Sequence, residues 1–222
     1  MRLALFDLDH TLLDGDSNSL WLEFLVAHGQ LSAKALARQA EEYARYEAGT
    51  LDIARYLKFH LKLLADRPVA EWLGWRDRFV STIIAAHIPS DAYGFVAEHR
   101  ARGDRVAILT ATHSFLADGI AVLFDPIDVI APQAVMTAGW ITGHIGSDIC
   151  FAERKISCLA AWMSREELRF ESFSAVYFYS DSFNDLPLLE QVSHPIVVNG
   201  DKRLLSAAAQ RGWPQLQWRR GC

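Results

Sequence analysis

Two carboxylates, Asp7 and Asp9, directly follow a short apolar run, residues 3–6, near the start of the sequence. A run of this kind is typical of a strand that is buried on both faces of a parallel sheet. Where such a strand ends, the chain turns into the crevice in which open α/β sheets bind ligands. Two ionised carboxylates this close repel each other, which favours a bound divalent cation or a shared proton. A solvated turn is the alternative, because Asp is common in turns.

Reactive side chains also follow two later apolar runs. Residues 105–109 end at Thr110, and residues 175–179 are followed closely by Asp181 and Asp185. Because the carboxyl ends of parallel strands meet at one edge of a sheet, we expect these groups to converge with the first carboxylate pair. Carboxylate oxygens are hard ligands that suit Mg²⁺ better than softer metals.

A lysine and a hydroxyl group complete a set of side chains suited to phosphate chemistry. Lys155 lies near the start of a predicted helix, residues 152–164, and supplies a positive charge. Thr110 and the backbone N–H group of Ala111 are suited to bind phosphate oxygens. Carboxylates, Mg²⁺, a lysine and a hydroxyl serve phosphoryl transfer, which depends on alignment of the nucleophile and neutralisation of charge.

Between the first two predicted strands the sequence predicts only helices. Apolar residues recur at helical spacing up to about residue 88, and Ser17 is the expected cap of the first helix. This block is too long for an ordinary crossover connection. We therefore expect an inserted all-helical cap domain, residues 16–88. Its tryptophans at helical spacing, Trp21, Trp72 and Trp75, are expected mostly in the helical core, with one or two facing the active site. The core domain would consist of residues 1–15 and 89–222.

After residue 90, strands alternate with helices. The third strand is expected at residues 127–130, a hairpin at residues 134–145 and the last strand at residues 195–198. Strand–helix alternation predicts an α/β fold with a doubly wound parallel sheet.

The composition excludes several classes of protein. With 51% apolar and 22% charged residues, the 222-residue chain can build a full core. The net charge is -5 and the pair Arg219-Arg220 is too short to form a basic patch, so we expect no nucleic-acid partner. No apolar run is long enough to span a bilayer, so we expect no membrane contact. Protein partners are not indicated.

The cysteines and the first residues bear on the compartment. Cys150, Cys158 and Cys222 match neither a zinc site nor a disulfide framework. The sequence also begins without a leader-like segment. These features predict reduced thiols in a cytoplasmic protein.

The motifs together resemble those of the haloacid dehalogenase (HAD) superfamily, in the phosphoserine-phosphatase-like subfamily IB with a helical C1-type cap. Asp7-Leu8-Asp9-His10-Thr11 is similar to the first family motif, DxDxT. Thr110 and Lys155 are similar to the second and third motifs. Asp181-Ser182-Phe183-Asn184-Asp185 is similar to the fourth, DSxxD. The resemblance covers nearly the whole chain and implies a HAD-like Rossmannoid core.

The resemblance implies a Mg²⁺-dependent phosphatase that acts on a small phosphorylated metabolite. Asp7 would be the nucleophile and form an aspartyl-phosphate. Asp9 would protonate the leaving alkoxide and then activate the hydrolytic water. Asp7, the main-chain oxygen of Asp9, and Asp181 would hold Mg²⁺, and Asp185 would support them.

By the same resemblance, a second group of residues would hold the phosphoryl group. This group consists of Thr110, Lys155 and Asn184, together with the backbone N–H group after Thr110, that of Ala111. The sequence departs from the family pattern at Ser180, where the fourth motif is usually preceded by Gly. Since a small residue is kept, we expect little effect on metal binding.

Two residues are candidates for selecting the substrate. Asp16 takes the place of an acidic residue that follows the first motif in phosphoserine phosphatases. His60 falls where those enzymes carry an Arg that pairs with the substrate carboxylate. Because His is a poor replacement for a bidentate guanidinium, the sequence disfavours serine phosphate. Another histidine, His113, is expected to cap a helix.

Three alternatives to a phosphatase remain open from the residues. A phosphotransferase would use the same aspartyl-phosphate and pass the phosphoryl group to an acceptor alcohol. A receiver-like phosphoacceptor also uses a strand-end Asp, a Ser or Thr, and a Lys, but it has no place for an inserted helical block. A binding protein without catalysis would not need the complete set of charged motif residues.

Overall fold

The computed structural model describes residues 1–124 and 127–218, apart from the side chains of Tyr46 and Glu47. Cys222 and the pair Arg219-Arg220 lie outside the described residues, so the expectations about them stay predictions. The strands of the described chain are β1 Arg2–Phe6, β2 Arg105–Leu109, β3 Asp128–Ile130, β4 Ala134–Thr137, β5 Trp140–Ile145, β6 Ala175–Ser180, β7 His194–Val198 and β8 Gln215–Leu216. Six of them form a parallel sheet in the order β3-β2-β1-β6-β7-β8, and β4 and β5 form a separate two-stranded hairpin.

Strand β1 lies at the centre of the sheet, in parallel register with β2 on one side and β6 on the other. Its side chains alternate between two apolar clusters: Ala4 and Phe6 belong to one, and Leu3 and Leu5 to the other. All four residues are fully buried. Both faces of the sheet are therefore covered, which explains the unbroken apolar run, and the predicted doubly wound parallel sheet is confirmed.

The helices cover the sheet and fill the segment between β1 and β2. They are α1 Ser17–Ala27, α2 Lys34–Glu47, α3 Ile53–Leu63, α4 Val69–Phe79, α5 Ala85–His87, α6 Ser90–Ala101, α7 Ser114–Ala121, α8 Arg154–Arg165, α9 Leu186–Leu189 and α10 Lys202–Arg211. A π-helical stretch, Val80–Ile84, joins α4 to α5. The sequence pattern did not predict this stretch or the two-residue strand β8.

The first helix is capped by Asp16 rather than by Ser17. The Asp16 carboxylate accepts a hydrogen bond from the backbone N of Ser19 at 2.7 Å, and Ser17 is already the first helical residue. The expectation that Ser17 caps this helix is therefore wrong. Both residue types are good caps, and local sequence did not distinguish them.

The tryptophans of the helical segment lie in the apolar core. Trp21 and Trp72 are almost completely buried, and the indole N–H of Trp72 donates to the Leu64 carbonyl at 2.9 Å. The Trp21 ring packs 5.0 Å from that of Phe79, and Trp75 packs against the same cluster. None of the three lines the cavity described below, so the expectation that one or two would face the active site is wrong.

The β4-β5 hairpin packs beside the helical segment. The backbone N of Val69, at the start of α4, donates to the Gly139 carbonyl in the hairpin turn at 2.7 Å. A Cβ atom at Gly143 would approach Lys62 Cγ to 2.9 Å, so a close approach between β5 and α3 requires the glycine. The hairpin thus helps to fix the position of α3 relative to the sheet.

One apolar cluster is continuous between the helical segment and the sheet. It includes Trp21 and Phe79 from the helices, Phe6 from β1, and Phe115 from α7. The division into a cap of residues 16–88 and a core of the remaining residues stays a prediction. Within the described ranges, no helix is both long and apolar enough to cross a bilayer.

Candidate active site

The strand ends that carry reactive side chains surround one cavity. Asp7 follows β1, Thr110 follows β2 and Asp181 follows β6, and these strands are neighbours in the sheet. Of the residues predicted for the site, the cavity is lined by Asp7, Asp9, Asp16, Thr110, Ala111, Lys155, Asp181, Asn184 and Asp185. The structure therefore brings together every predicted site residue except His60.

Lys155 lies between two carboxylates at the base of the cavity. Its Nζ atom donates to Asp7 Oδ1 and to Asp185 Oδ2, each at 2.7 Å. Ser180 Oγ also donates to Asp185 Oδ2, at 2.7 Å. Burial by itself lowers the pKa of Lys155, but the charges of Asp185 and Asp7 outweigh burial and hold the pKa above its usual value. Lys155 is therefore a fixed positive charge, and the Ser180 hydroxyl supports one of its partners.

The carboxylates at the base exceed the positive charge available to them. Burial raises the pKa of Asp7 to about 7; Lys155 opposes this rise, and the charges of Asp185 and Asp9 add to it. Burial, with the charges of Asp7 and Asp185, raises the pKa of Asp181 well above its usual value. Unrelieved repulsion of this kind fits a site that takes a divalent cation.

The donor set fits a hard cation that keeps part of its water. Among residues 1–124 and 127–218, no three Asp, Glu, His or Cys side chains are arranged to hold one metal ion. A metal here would need main-chain oxygen and water in addition to carboxylates. Mg²⁺ is normally bound by one or two carboxylates and several waters. The residues present are therefore compatible with Mg²⁺.

Asp9 is held in one orientation by hydrogen bonds from two different elements. The backbone N of Ser17, in the first turn of α1, donates to Asp9 Oδ1 at 2.7 Å. Thr112 Oγ1 donates to Asp9 Oδ2 at 2.7 Å. Thr112 Oγ1 in turn accepts from Asn18 Nδ2 at 3.2 Å and lies 3.0 Å from Ser17 Oγ. The sequence analysis did not identify Ser17, Asn18 and Thr112 as the residues that hold Asp9. The one local signal was that a hydroxyl residue lies two positions after Thr110.

Thr11 joins the two loops that carry the carboxylates. Its hydroxyl donates to Asp181 Oδ1 at 3.2 Å and accepts from the backbone N of Asp181 at 3.1 Å. A single buried hydroxyl thus fixes the loop after β6 against the loop after β1. This contact gives the threonine of the first motif a structural role.

The predicted phosphate-binding groups line the same cavity as Lys155. Thr110 is buried, and its Oγ1 accepts from the backbone N of Thr112 at 3.0 Å. Ala111 and Asn184 line the same cavity. Their amide groups and the Lys155 ammonium form a polar wall that can bind an anion.

Residues of the helical segment also line the cavity. Asp16 lines it, and burial, together with the charge of Asp9, raises the pKa of Asp16 to about 6. Tyr56 lines it as well, and its hydroxyl accepts from Gln39 Nε2 at 3.0 Å. The aromatic lining consists of Tyr43, Tyr56 and Phe151.

His60 is not among the residues that line the cavity. Its ring is buried, with Nε2 2.9 Å from Gln39 Oε1, and Gln39 also donates to Ser19 Oγ at 2.7 Å. Burial lowers the pKa of His60 well below its usual value, and the neighbouring His113 and Arg38 act in the same direction. The expected substrate contact by His60 is therefore corrected: the neutral ring positions Gln39.

His113 does not cap a helix with its side chain. Its backbone precedes α7, but the ring makes no capping hydrogen bond, and both ring nitrogens lack a partner among the described residues. Burial lowers the pKa of His113 to about 4. His113 thus occupies the expected N-cap position of α7, while its ring is neutral, buried and without a capping hydrogen bond.

A second acidic residue, Glu42 on α2, was missed by the sequence analysis. It lines the cavity although its side chain is only 1% exposed. One oxygen, Oε1, accepts from Arg45 at 2.9 Å and pairs with Arg55 at 3.3 Å. The other, Oε2, is buried and has no hydrogen-bond partner among the described residues. This glutamate belongs to no motif. A charged residue on a helix is usually solvated, so nothing in the sequence indicated that it would line the cavity.

Comparison with known proteins agrees with this geometry. A family model described as haloacid dehalogenase-like hydrolase matches residues 4–190. The chain belongs to this family. The predicted family and the prediction of an enzyme from this hydrolase family are thus confirmed. This membership does not support the receiver-like alternative.

Similar proteins include a named phosphatase and two solved structures. Over 220 residues the chain is 35% identical to a histidinol-phosphatase from Neisseria meningitidis serogroup C, strain 8013; the match covers 98% of this chain and 99% of the relative. A solved structure of a protein of unknown function from Bordetella pertussis Tohama I matches with a TM-score of 0.92 and 38% identity, over 97% of each chain. A substrate-bound phosphoserine phosphatase matches with a TM-score of 0.68 at 16% identity, over 98% of this chain and 93% of that chain, which shows a shared fold.

Proposed function

We propose that this protein is a Mg²⁺-dependent phosphatase that hydrolyses the phosphomonoester of a small metabolite through an aspartyl-phosphate on Asp7. The observation that carries the proposal is the contact of Lys155 Nζ with Asp7 Oδ1 at 2.7 Å, in the same cavity as an oriented Asp9. The relatives support it, since one is named histidinol-phosphatase and another, at 29% identity, phosphoserine phosphatase.

The two carboxylates of the first motif have different roles in the reaction. Lys155 holds Asp7 Oδ1, so the nucleophile is Oδ2. Its attack on phosphorus forms the aspartyl-phosphate and breaks the bond to the substrate oxygen, which takes a proton from Asp9. Asp9 then removes a proton from water, and attack by this water on phosphorus releases phosphate and restores Asp7. The hydrogen bonds from Ser17 and Thr112 keep Asp9 beside the reacting oxygen.

The phosphoryl group binds to the polar wall of the cavity. The Thr110 hydroxyl, the Ala111 N–H group, the Asn184 side chain and the Lys155 ammonium would bind its oxygens. These groups stabilise the charge that spreads over the equatorial oxygens during transfer. Lys155 already neutralises Asp7, which lowers the repulsion between the nucleophile and the anionic substrate.

Mg²⁺ would be held by Asp7, the main-chain oxygen of Asp9, and Asp181, with Asp185 supporting the site. A bound Mg²⁺ supplies positive charge that offsets the carboxylates and the phosphoryl oxygens. In this chain, Thr11 holds Asp181 in place, and Lys155 holds Asp7 and Asp185. The ligands are therefore held in position by bonds within the protein.

We also propose a partner and a cellular compartment for this activity. The partner is a small phosphorylated metabolite, and we propose no role for nucleic acid or for a membrane. Cys150 and Cys158 are buried free thiols. Reduced thiols are typical of the cytoplasm, where we place the activity.

The test is Mg²⁺-dependent phosphate release from a panel of phosphorylated amino alcohols, amino acids, sugars and nucleotides. We expect activity that disappears with a chelator and in Asp7→Asn, and a phosphorylated peptide containing Asp7 after acid quench. Release of phosphate by Asp7→Asn at the wild-type rate would contradict the proposal. Addition of acceptor alcohols distinguishes hydrolysis from the phosphotransferase alternative, because transfer yields a new phosphate ester.

A further inference from the structure

Glu42 is a buried acid that the hydrolytic chemistry does not use. It lies on α2, away from the strand ends, and lines the same cavity as Asp7 and Asp9. Its Oε2 atom is shielded from solvent and has no hydrogen-bond partner among the described residues. A buried carboxylate oxygen without a donor is costly, and such groups are usually satisfied by a partner or used in binding.

The positive charges beside Glu42 lie on its outer side. Arg45 and Arg55 both approach Oε1, and their side chains are 39% and 53% exposed. Neither arginine lines the cavity. Both arginines reach only Oε1, so they orient Glu42 and leave its second oxygen without a donor among the described residues.

The side chains that line the cavity are mostly acidic where they are charged. Of the described residues that line it, Lys155 is the only lysine or arginine, and it lies between two carboxylates. The helical segment contributes Asp16 and Glu42 to the lining. A leaving group that reaches these residues therefore meets carboxylates at the cavity surface, while the guanidinium groups of Arg45 and Arg55 are not part of the lining. This environment attracts a cation and repels a carboxylate.

Aromatic groups adjoin the two acids. Tyr56 is mostly buried, and its hydroxyl accepts from Gln39, which leaves its own proton to be donated into the surroundings. Burial, with the charges of Asp16, Asp9 and Glu42, holds the pKa of Tyr56 well above its usual value. Tyr rings beside carboxylates are favourable surroundings for an ammonium group.

We propose that Glu42 binds a positively charged amino group on the leaving group of the substrate, so that the substrate class is the phosphomonoesters of amino alcohols that lack a carboxylate. This inference rests on the phosphatase function proposed above. Glu42 is then a residue that determines specificity, and it acts together with Asp16, which lines the same cavity.

The test compares substrates that differ only in charge. The probes are ω-aminoalkyl phosphates of increasing chain length, each paired with an n-alkyl phosphate of matched length. Because a hydrogen bond to a charged group contributes roughly 10- to 100-fold in binding, we expect the best amino ester to exceed its alkyl partner by about that factor in kcat/KM. Glu42→Gln should remove most of this preference, chiefly through KM.

Two variants serve as controls. Glu42→Asp keeps the charge and should restore part of the preference. Glu41→Gln changes an exposed neighbour on α2 that does not line the cavity, and it should leave the preference unchanged. The preference is a ratio of two substrates within one variant, so a general loss of folded protein does not alter it.

The outcomes separate the two proposals. If no phosphate ester is hydrolysed in the presence of Mg²⁺, the phosphatase function itself fails. If alkyl and amino esters are hydrolysed equally, or if Glu42→Gln keeps the preference for the amine, the phosphatase stands and the role of Glu42 is overturned. A preference for carboxylate-bearing esters such as phosphoglycolate would also overturn it and would assign binding to Arg45 and Arg55.

Discussion

The Thr112 hydroxyl offers a sharp test of how Asp9 is positioned. Thr112 is buried, and its hydroxyl donates to Asp9 Oδ2 at 2.7 Å, while the backbone of Ser17 holds the other oxygen. Asn18 Nδ2 donates to the same hydroxyl at 3.2 Å. Thr112 thus connects the loop after β2 to the first turn of α1 through the proposed acid and base.

Thr112→Val keeps the shape of the side chain and removes the hydroxyl. A hydrogen bond to a charged group is worth about 1.5–3 kcal/mol, which corresponds to roughly 10- to 150-fold in rate if Asp9 loses its alignment. The backbone bond from Ser17 remains, so we expect kcat to fall by about 10- to 100-fold rather than completely. Thr112→Ser keeps the hydroxyl and should retain most of the activity.

The assay is steady-state phosphate release under saturating Mg²⁺, with thermal unfolding measured on the same preparations. Comparison of the two variants separates the hydroxyl from the methyl group. If Thr112→Val turns over at the wild-type rate, or if Thr112→Ser is as impaired as Thr112→Val, the hydrogen bond to Asp9 does not position this carboxylate.

Three further predictions concern the buried polar groups around the site. Lys155→Met should lower kcat by about 1000-fold or more, because Asp7 and Asp185 lose their shared cation; residual phosphate release near the wild-type rate would contradict this. The pKa of His113 is about 4 in the folded protein, compared with about 6.5 in the unfolded chain. As the pH falls from about 6.5 to 4, the unfolded chain therefore binds a proton that the folded protein does not, and the free energy of unfolding should fall by up to about 3 kcal/mol. Urea titrations should show a smaller loss over this range for His113→Phe, and equal losses would refute it. Ser180→Ala should lower the free energy of unfolding by about 1–2 kcal/mol, since the hydroxyl donates to buried Asp185; an unchanged urea midpoint would contradict that role.

The convergence of the motif residues was predictable because it depends on one general rule. Asp7, Thr110 and Asp181 each follow an apolar run, and parallel strands bring such ends to one edge of the sheet. The order of β1, β2 and β6 in the sheet places these three ends side by side. No knowledge of side-chain packing was needed for this part of the site.

The cavity residues that come from the helical segment were not predictable in the same way. His60 was a candidate because it falls where phosphoserine phosphatases carry an Arg, yet in the structure its ring is buried against Gln39. Glu42 carried no signal, because whether a helical glutamate is solvated or buried depends on which face of α2 packs against the cavity. The helix cap at Asp16 was missed because neighbouring Ser17 has a similar local preference.

Consecutive residues were enough to predict the parallel α/β fold, the carboxylate pair at the end of β1 and the family to which the chain belongs. These features depend on local apolar runs and on motif spacing, which are visible in the order of the residues along the chain. The hydrogen bond from Thr112 to Asp9 and the presence of Asp16 and Glu42 in the cavity lining became visible only in the folded molecule. Those contacts join elements that are far apart in the sequence, and their geometry follows from how whole helices pack against the sheet.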